Sequence, residues 1–231
     1  FIFYFLIIKN TFIQINLRYM YNSKIIGVGH YVPNNVVTND DLTQFMDTSD
    51  EWIKERTGIE QRRWIKDEST ETTASMGVEA AKIAIERSGL NKDEIDFIVF
   101  ATLSPDYYFP GPGVQVQEAL DIKTVGALDV RNQCSGFVYG LSVADQFIKT
   151  GMYKNVLVVG SELQSRGIDK STRGRNISVI FGDGAGAVVM SREEDTSKGV
   201  LSTHLHSEGQ HAKELSLLSP GMGTRWVDDI L

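Results

Sequence analysis

Residues Val125 to Gly151, VGALDVRNQCSGFVYGLSVADQFIKTG, carry the pattern that decides the fold. The apolar run Val125 to Val130 has the length and composition of a buried strand. After a polar turn, apolar residues recur at three- and four-residue spacings as far as Ile148, which predicts an amphipathic helix with Gly151 as its C-terminal cap. The only cysteine of the chain, Cys134, therefore lies where a strand passes into the first turn of a helix.

This position of Cys134 suits a nucleophile. The positive end of the helix dipole and the free N–H groups of the first turn stabilise an anion, and therefore a thiolate. The small residues Ser135 and Gly136 leave room for a carbonyl carbon, and backbone N–H groups nearby can bind an oxyanion. The alternative is a buried, unreactive cysteine that acts as a small apolar side chain. The local pattern leaves both interpretations open.

The length, net charge and cysteine content of the chain limit the classes of function that it can have. The chain has 231 residues, enough for one large or two small domains, and its net charge of −7 disfavours non-specific nucleic-acid binding. A single cysteine excludes an internal disulfide framework and fits a reducing compartment, so we expect a cytoplasmic protein. No Cys/His cluster has the spacing of a zinc site, and we predict no metal site.

The two ends of the chain differ from the rest of it. The apolar run Phe1 to Ile8 is too short to span a bilayer and lacks the basic flank and cleavage site of a signal peptide. We therefore expect no membrane association, and we interpret residues 1–19 as a non-native leader before Met20, with a truncated signal peptide as the alternative. The last residues stop without a helix cap or a turn, which is typical of a partial chain.

Apolar runs and turn signals predict alternating strands and helices. The strand candidates are Lys24 to Val28, Ile95 to Thr102, Asn155 to Ser161, two strands around a glycine turn within Ile177 to Ser191, and Val200 to His206. The helix candidates are Asp40 to Met46 capped by Asn39, Ser49 to Thr57 with a capping box at Thr48 to Glu51, Thr72 to Ser88, and Val114 to Leu120. Gly58 and Gly89 are predicted to end the second and third helices. The alternation predicts an α/β layered domain with a largely parallel sheet.

Two motifs resemble ligand sites but fail on context. Gly182 to Gly186 is rich in glycine like a dinucleotide fingerprint, but a strand-like stretch follows it where that fingerprint needs a helix. His204 and His206 have metal-like spacing without a third ligand, so we interpret them as a surface pair. Neither motif predicts a cofactor.

A basic segment, Lys54 to Lys66, lies among the tryptophans Trp52 and Trp64. Aromatic faces beside guanidinium groups can hold an adenine or phosphates. The other interpretation is a solvated helix face with the tryptophans packed beneath it, and the local sequence favours that one.

Taken in order, the motifs resemble a known family. KIIGVGHYVP, TNDDL, DTSDEWIKERTGI, CSGF, LSVADQFIKTG, VLVVGSE, IFGDGAGAVV and LSTHLHSEG are similar to β-ketoacyl-acyl-carrier-protein synthase III, the initiating condensing enzyme of bacterial type II fatty-acid synthesis. The resemblance runs from about Met20 to about His206. It implies a thiolase-like fold with five α-β-α-β-α layers built from two similar halves. Residues 20–193 would be the N-terminal half, and residues 194–231 the beginning of the C-terminal half.

The resemblance also implies roles for individual residues. Cys134 matches the family's nucleophile, which accepts an acyl group from coenzyme A. Trp52 matches a residue that stacks on adenine, and Thr48 and Arg56 match its neighbours at the coenzyme A entrance. Phe109 matches a residue that reaches across a homodimer to border the partner's acyl pocket.

A stacking arginine is also expected, and two residues fit it. Counting forward from Cys134 reaches Arg173, whereas counting back from Phe181 reaches Arg175. Both remain candidates for the coenzyme A site.

By this resemblance, the function is acyl transfer followed by condensation with malonyl-acyl carrier protein. Coenzyme A thioesters are substrates, and no permanently bound cofactor is implied. The family's catalytic histidine and asparagine lie in HQAN-type and GNTSA-type motifs, and neither motif occurs in this sequence. Two alternatives therefore stay open: a chain that only binds coenzyme A or acyl groups, and a related thiolase-fold condensing enzyme with another acceptor.

Overall fold

The structure, a computed structural model, describes residues 3–8, 11–16, 21–67 and 69–215. The strands are β1 (Phe3–Ile8), β2 (Thr11–Asn16), β3 (Asn22–Tyr31), β4 (Val36–Thr38), β5 (Gln61–Arg63), β6 (Phe97–Ala101), β7 (Gly126–Val130), β8 (Asn155–Glu162) and β9 (Gly184–Glu193). The helices are α1 (Asn39–Leu42), α2 (Asp50–Thr57), α3 (Thr73–Ser88), α4 (Pro112–Ala119), α5 (Gly136–Lys149) and α6 (Arg175–Ser178). The proposed leader, residues 1–19, and the segment 194–231 are thus described only in part.

The main sheet has five strands in the order β3-β9-β8-β6-β7. β6 runs parallel to both β7 and β8, with α4 and α5 as the crossover connections that parallel pairing requires. β9 is antiparallel to β8 and to β3, so the prediction of a largely parallel sheet is wrong for half of it. β1 pairs with β2, and β4 with β5, in separate two-stranded ribbons.

Helices cover both faces of the main sheet. On one face, α3 and α4 pack over a buried cluster that includes Ile98, Phe100 and Leu157. On the other face, α5 packs through Ala144 and Ile148. The central strands are buried on both sides, which explains their nearly continuous apolar sequences. These three layers are the part of the predicted α-β-α-β-α arrangement that the described residues form.

Most of the predicted elements are confirmed. The strands around residues 95–102, 125–130 and 155–161 are present, and so are the helices around residues 49–57, 72–88, 114–120 and 136–148. Gly58, Gly89 and Gly151 have φ angles of 71°, 74° and 77°, the left-handed conformation expected after a helix C-terminus. These signals are local, so neighbouring residues alone specify them.

The strand predicted at the start of Ile177 to Ser191 is wrong. Ile177 and Ser178 are the last residues of the short helix α6, and β9 begins only at Gly184. Part of the predicted glycine turn, Gly184 to Gly186, therefore belongs to β9. In this segment, backbone carbonyl groups that would accept hydrogen bonds from a neighbouring strand accept them from side chains instead. Arg62 Nη2 donates to the Val179 carbonyl at 3.0 Å, and Trp64 Nε1 donates to the Phe181 carbonyl at 3.1 Å.

The strand predicted at Val200 to His206 is also wrong, because the structure has no strand there. The segment instead lies against α5 and β3 through scattered hydrogen bonds. The Val200 N–H donates to the Ser23 carbonyl at 2.8 Å, and Lys149 Nζ donates to the Val200 carbonyl at 3.0 Å. His204 and His206 therefore do not share the face of a strand.

Two helix starts differ from the prediction by one residue. Thr38, not Asn39, caps α1, and this helix ends at Leu42 rather than Met46. Ser49 caps α2, since its Oγ accepts from the Trp52 N–H at 3.1 Å. Thr48 is therefore not the cap, and within the described part of the chain its buried Oγ1 has no hydrogen-bond partner.

Glycines in β3 allow α3 to pack directly on the strand backbone. A Cβ at Gly29 would lie 2.0 Å from the Ala80 carbonyl oxygen and 2.6 Å from the Ala84 nitrogen. Because these are backbone atoms of a helix, they cannot move aside as a side chain can. We expect Gly29→Ala to lower the free energy of unfolding by about 3 kcal/mol or more in urea denaturation.

Gly186→Ala on the paired strand β9 is the matched control for Gly29→Ala. A Cβ at Gly186 meets no atom within 4 Å. We expect its unfolding free energy to stay within about 0.5 kcal/mol of the unsubstituted protein. Equal effects of the two substitutions would contradict the close packing of β3 on α3.

Candidate active site

Cys134 lies between the end of β7 and the start of α5. The single-turn 3-10 helix Gln133–Ser135 contains it, and α5 continues from Gly136. The Ser135 hydroxyl donates to the Asn132 carbonyl at 3.1 Å and accepts from Asn132 Nδ2 at 3.2 Å, which holds this turn. The Cys134 side chain is free and exposed, which contradicts the interpretation as a buried cysteine, whereas its reactivity stays a prediction.

A cavity of about 260 Å³ lies beside the Cys134 thiol. It forms where the carboxyl ends of the parallel strands β6 and β8 meet the N-terminal end of α5, which is the common position of ligand sites in α/β sheets. Its walls are mostly small or apolar, and its lining residues are Ala101, Cys134, Phe137, Gly160, Ser161, Glu162 and Gly186.

Glu162, the last residue of β8, lines this cavity and carries a largely buried carboxyl group. Its side chain accepts hydrogen bonds from the Leu103 N–H at 2.9 Å, from Gln164 Nε2 at 2.9 Å and from the Ser104 hydroxyl. Burial raises the pKa of the Glu162 carboxyl, and these hydrogen bonds oppose the rise without cancelling it. In the sequence, Glu162 appeared only as the last residue of the family motif VLVVGSE. An acidic residue at the carboxyl end of an otherwise apolar strand was the available signal.

The raised pKa of Glu162 predicts a pH-dependent stability. As the pH rises above the ordinary glutamate value of 4.5, the unfolded chain releases this proton before the folded protein does. The unfolded state then binds fewer protons, so stability falls until the pH passes the folded-state pKa. We expect Glu162→Gln to remove this fall. The difference in unfolding free energy, variant minus unsubstituted protein, should therefore increase as the pH rises above 4.5.

Urea denaturation at a series of pH values measures this difference. Glu86→Gln is the control, because Glu86 is exposed on α3. A Glu162→Gln difference that does not change with pH would contradict the effect of burial on Glu162.

A second cluster forms around Trp52 on α2. The guanidinium carbons of Arg56 and Arg175 lie 4.5 Å and 4.6 Å from the centroid of the indole ring. Arg56 is one turn along the same helix, whereas Arg175 comes from the start of α6. The structure thus brings together three of the residues predicted for the coenzyme A site, and Trp64 instead packs in the core.

Arg173 does not join this cluster. Its Nε lies 2.6 Å from Asp169 Oδ2, and its side chain is 88% exposed. Arg175 Nη1 instead donates to the Asp47 carbonyl, next to Thr48. Of the two candidate arginines, the structure places Arg175 on the Trp52 ring.

Phe109 lies apart from both clusters. It is 80% exposed and joined to Pro110 by a cis peptide bond. Its ring contacts that of Tyr108 edge-to-face, with the centroids 6.3 Å apart. Phe109 does not line the cavity at Cys134.

The residues that the structure describes contain neither a metal-binding cluster nor a membrane-spanning helix. Among those residues, no group of three or more His, Cys, Asp or Glu side chains is arranged to hold a metal ion. No helix among them has both the length and the apolar character needed to cross a membrane.

Comparison with known proteins connects this geometry to a family. The family model for 3-oxoacyl-[acyl-carrier-protein (ACP)] synthase III matches residues 128–209, which include Cys134. The β-ketoacyl-[acyl-carrier-protein] synthase III of Ehrlichia canis is 48% identical over 190 residues, 82% of this chain and 58% of that protein. The chain spans about three fifths of the length of the curated relatives it matches.

Solved structures give the same relationship. The 3-oxoacyl-[acyl-carrier-protein] synthase III of Aquifex aeolicus is 49% identical, with a TM-score of 0.72 over 75% of this chain and 55% of that one. The β-ketoacyl-[acyl-carrier-protein] synthase III of Thermus thermophilus is 36% identical, with a TM-score of 0.78 over 85% of this chain and 60% of that one.

The fold therefore defines the chain as a protein of the thiolase-like class, as predicted. Within that class, the predicted resemblance to β-ketoacyl-acyl-carrier-protein synthase III is confirmed by the family model, by the curated relatives and by the solved structures.

Proposed function

We propose that the protein is the acyltransferase that begins fatty-acid synthesis. Cys134 takes an acyl group, typically acetyl, from acyl-coenzyme A and condenses it with malonyl-acyl carrier protein, which releases CO2 and gives 3-oxoacyl-acyl carrier protein. The observation that carries this proposal is the exposed Cys134 thiol at the start of α5, beside a cavity, in a chain 48% identical to a named synthase.

The first half-reaction uses residues of this chain. The Cys134 thiolate attacks the thioester carbonyl, and the resulting oxyanion accepts hydrogen bonds from backbone N–H groups at the start of α5. The carbon–sulfur bond to coenzyme A then breaks, and the coenzyme A thiolate leaves and takes up a proton. The products are an acyl thioester on Cys134 and free coenzyme A.

The second half-reaction, the condensation, needs hydrogen-bond donors other than the backbone N–H groups at the start of α5. Loss of CO2 from the malonyl thioester leaves a carbanion, which attacks the acyl carbonyl and frees the Cys134 thiolate. Donors at the malonyl thioester oxygen must stabilise the developing charge, and losing one such donor typically costs about 100- to 1000-fold in rate. The family's histidine and asparagine motifs, absent from these 231 residues, would supply them.

The Trp52 cluster supports coenzyme A binding. An adenine ring can stack on the indole while Arg56 and Arg175 neutralise the phosphates. The Arg175 guanidinium lies over the indole ring of Trp52. We infer that Arg175 moves outward, so that the adenine stacks between Trp52 and Arg175. Thr48 completes this entrance, since its buried Oγ1 has no hydrogen-bond partner among the residues that the structure describes.

A homodimer and a cytoplasmic location belong to the same proposal. Phe109 and its neighbours Tyr107 and Tyr108 are exposed. In the sheet that the described residues form, β7 is an edge strand, and Leu128 is exposed on it. An unpaired edge beside aromatic side chains is suited to pairing with a second copy. Phe109 would then border the acyl pocket of the partner.

Intact-mass spectrometry after incubation with acetyl-coenzyme A tests the acyl transfer. We expect one acetyl group per chain, bound as a thioester that neutral hydroxylamine removes. A protein that binds coenzyme A without gaining mass would be the non-catalytic binding protein instead.

A further inference from the structure

The side chains beneath α5 change size abruptly along the main sheet. Alternate residues of each strand face α5. Val99, Val158 and Val188 lie side by side in the register of β6, β8 and β9. All three are buried in the cluster that α5 covers. This row of valines fills the space between the sheet and the helix.

The next row on the same face is almost free of side chains. Two residues further along β6 and β8, and two residues earlier along the antiparallel β9, the register brings together Ala101, Gly160 and Gly186. We call these three residues the small-residue row. All three line the cavity beside Cys134. The only side chain in this row is the methyl group of Ala101. The cavity therefore lies where the valine side chains end and the small-residue row begins.

The size of this space suits a short acyl chain. An apolar cavity of about 150 Å³ is enough to hold benzene. The cavity at Cys134 measures about 260 Å³ and borders the ring of Phe137. An acyl group on the Cys134 sulfur can enter it without displacing a side chain of the small-residue row.

We propose that the small-residue row sets the size of the acyl group that Cys134 accepts, with Gly186 as the determining residue. This rests on the proposed acyl transfer. A Cβ at Gly160 would lie 3.0 Å from Phe137 Cδ2 and would move the ring. A Cβ at Gly186 meets no atom within 4 Å, so it projects into open space. Side chains at position 186 therefore shorten the cavity while leaving its other walls in place.

The first test compares acyl donors of different size. Initial rates of acyl transfer to Cys134 are measured by intact mass with acetyl-, butyryl- and isobutyryl-coenzyme A. We expect Gly186→Val to lower the butyryl-to-acetyl rate ratio by about tenfold or more, and Gly186→Ala to lower it by less. Gly209→Val is the control, since a Cβ there also meets no atom within 4 Å and Gly209 lies outside the cavity.

A second readout separates this inference from the proposed function. Cys134, the only cysteine, is alkylated with the small reagent iodoacetamide and the larger N-phenylmaleimide. We expect Gly186→Val to slow the larger reagent more than the smaller one. If the unsubstituted protein gains no acyl group from any donor, the proposed function is wrong. The ratio of the alkylation rates with the two reagents then tests by itself whether residue 186 limits the size of a group bound to Cys134. If the protein is acylated but both ratios are unchanged in Gly186→Val, the size role is overturned.

Discussion

Replacing Cys134 by alanine is expected to abolish acyl transfer from acetyl-coenzyme A. The substitution removes the sulfur that carries the acyl group, and the chain has no second cysteine to replace it. Loss of a covalent nucleophile typically lowers the rate by a factor on the order of 10⁴ or more. No acetyl adduct should therefore be seen by intact mass after times at which the unsubstituted protein is fully modified.

Binding of coenzyme A is the control for Cys134→Ala. Trp52, Arg56 and Arg175 form a cluster that does not include the cysteine. The dissociation constant of coenzyme A, measured by calorimetry, should therefore be unchanged. An acetyl adduct that survives in Cys134→Ala would place the modification on another side chain and contradict the proposed nucleophile. A hydroxylamine-resistant adduct would indicate lysine acetylation instead.

Replacing Trp52 by alanine is expected to weaken coenzyme A binding by roughly 5- to 150-fold. The indole is the flat apolar surface of its cluster, and stacking of a base on an aromatic side chain contributes about 1–3 kcal/mol. Trp52→Phe keeps a smaller ring at the same position and should lose less affinity. Equal losses in the two variants would show that the indole is not the stacking surface.

Arg173 and Arg175, two residues apart at the start of α6, provide a matched pair. Arg175 lies on the Trp52 ring, whereas Arg173 is paired with Asp169 and largely exposed. The two substitutions to alanine remove the same charge two residues apart. We expect Arg175→Ala to raise the dissociation constant of coenzyme A by roughly 2- to 30-fold, the range of a cation–π contact. Arg173→Ala should change it little, and the opposite order would assign the stacking role to Arg173.

The site was predictable from the sequence where its signals are local. The strand, the polar turn and the helix around Cys134 all appear in one continuous stretch. The helix N-terminus that favours an anion is a property of the backbone at that point. The glycines after α2, α3 and α5 were equally readable, because a left-handed residue at a helix end is a local requirement.

Other features were not predictable in this way. The apolar run at residues 177–181 suits a strand, yet it is helix and loop because Arg62 and Trp64, more than 100 residues earlier, bind its carbonyl groups. Counting could not choose between Arg173 and Arg175, since the answer depends on how the loop folds back toward Asp47 and Trp52. Glu162 appeared only in the motif VLVVGSE, just after the predicted strand Asn155 to Ser161, and only the folded chain shows that it lines the cavity.

The amino-acid sequence by itself determined the strand–helix junction that presents Cys134, the thiolase-like family resemblance and most of the helix ends. Each of these is set by residues close together in the chain or by motifs in a fixed order. Only the tertiary structure decided that Ala101, Gly160 and Gly186 form one row, that Glu162 lines the cavity and that Arg175 covers Trp52. These are contacts between distant parts of the chain, and strand register and loop packing create them.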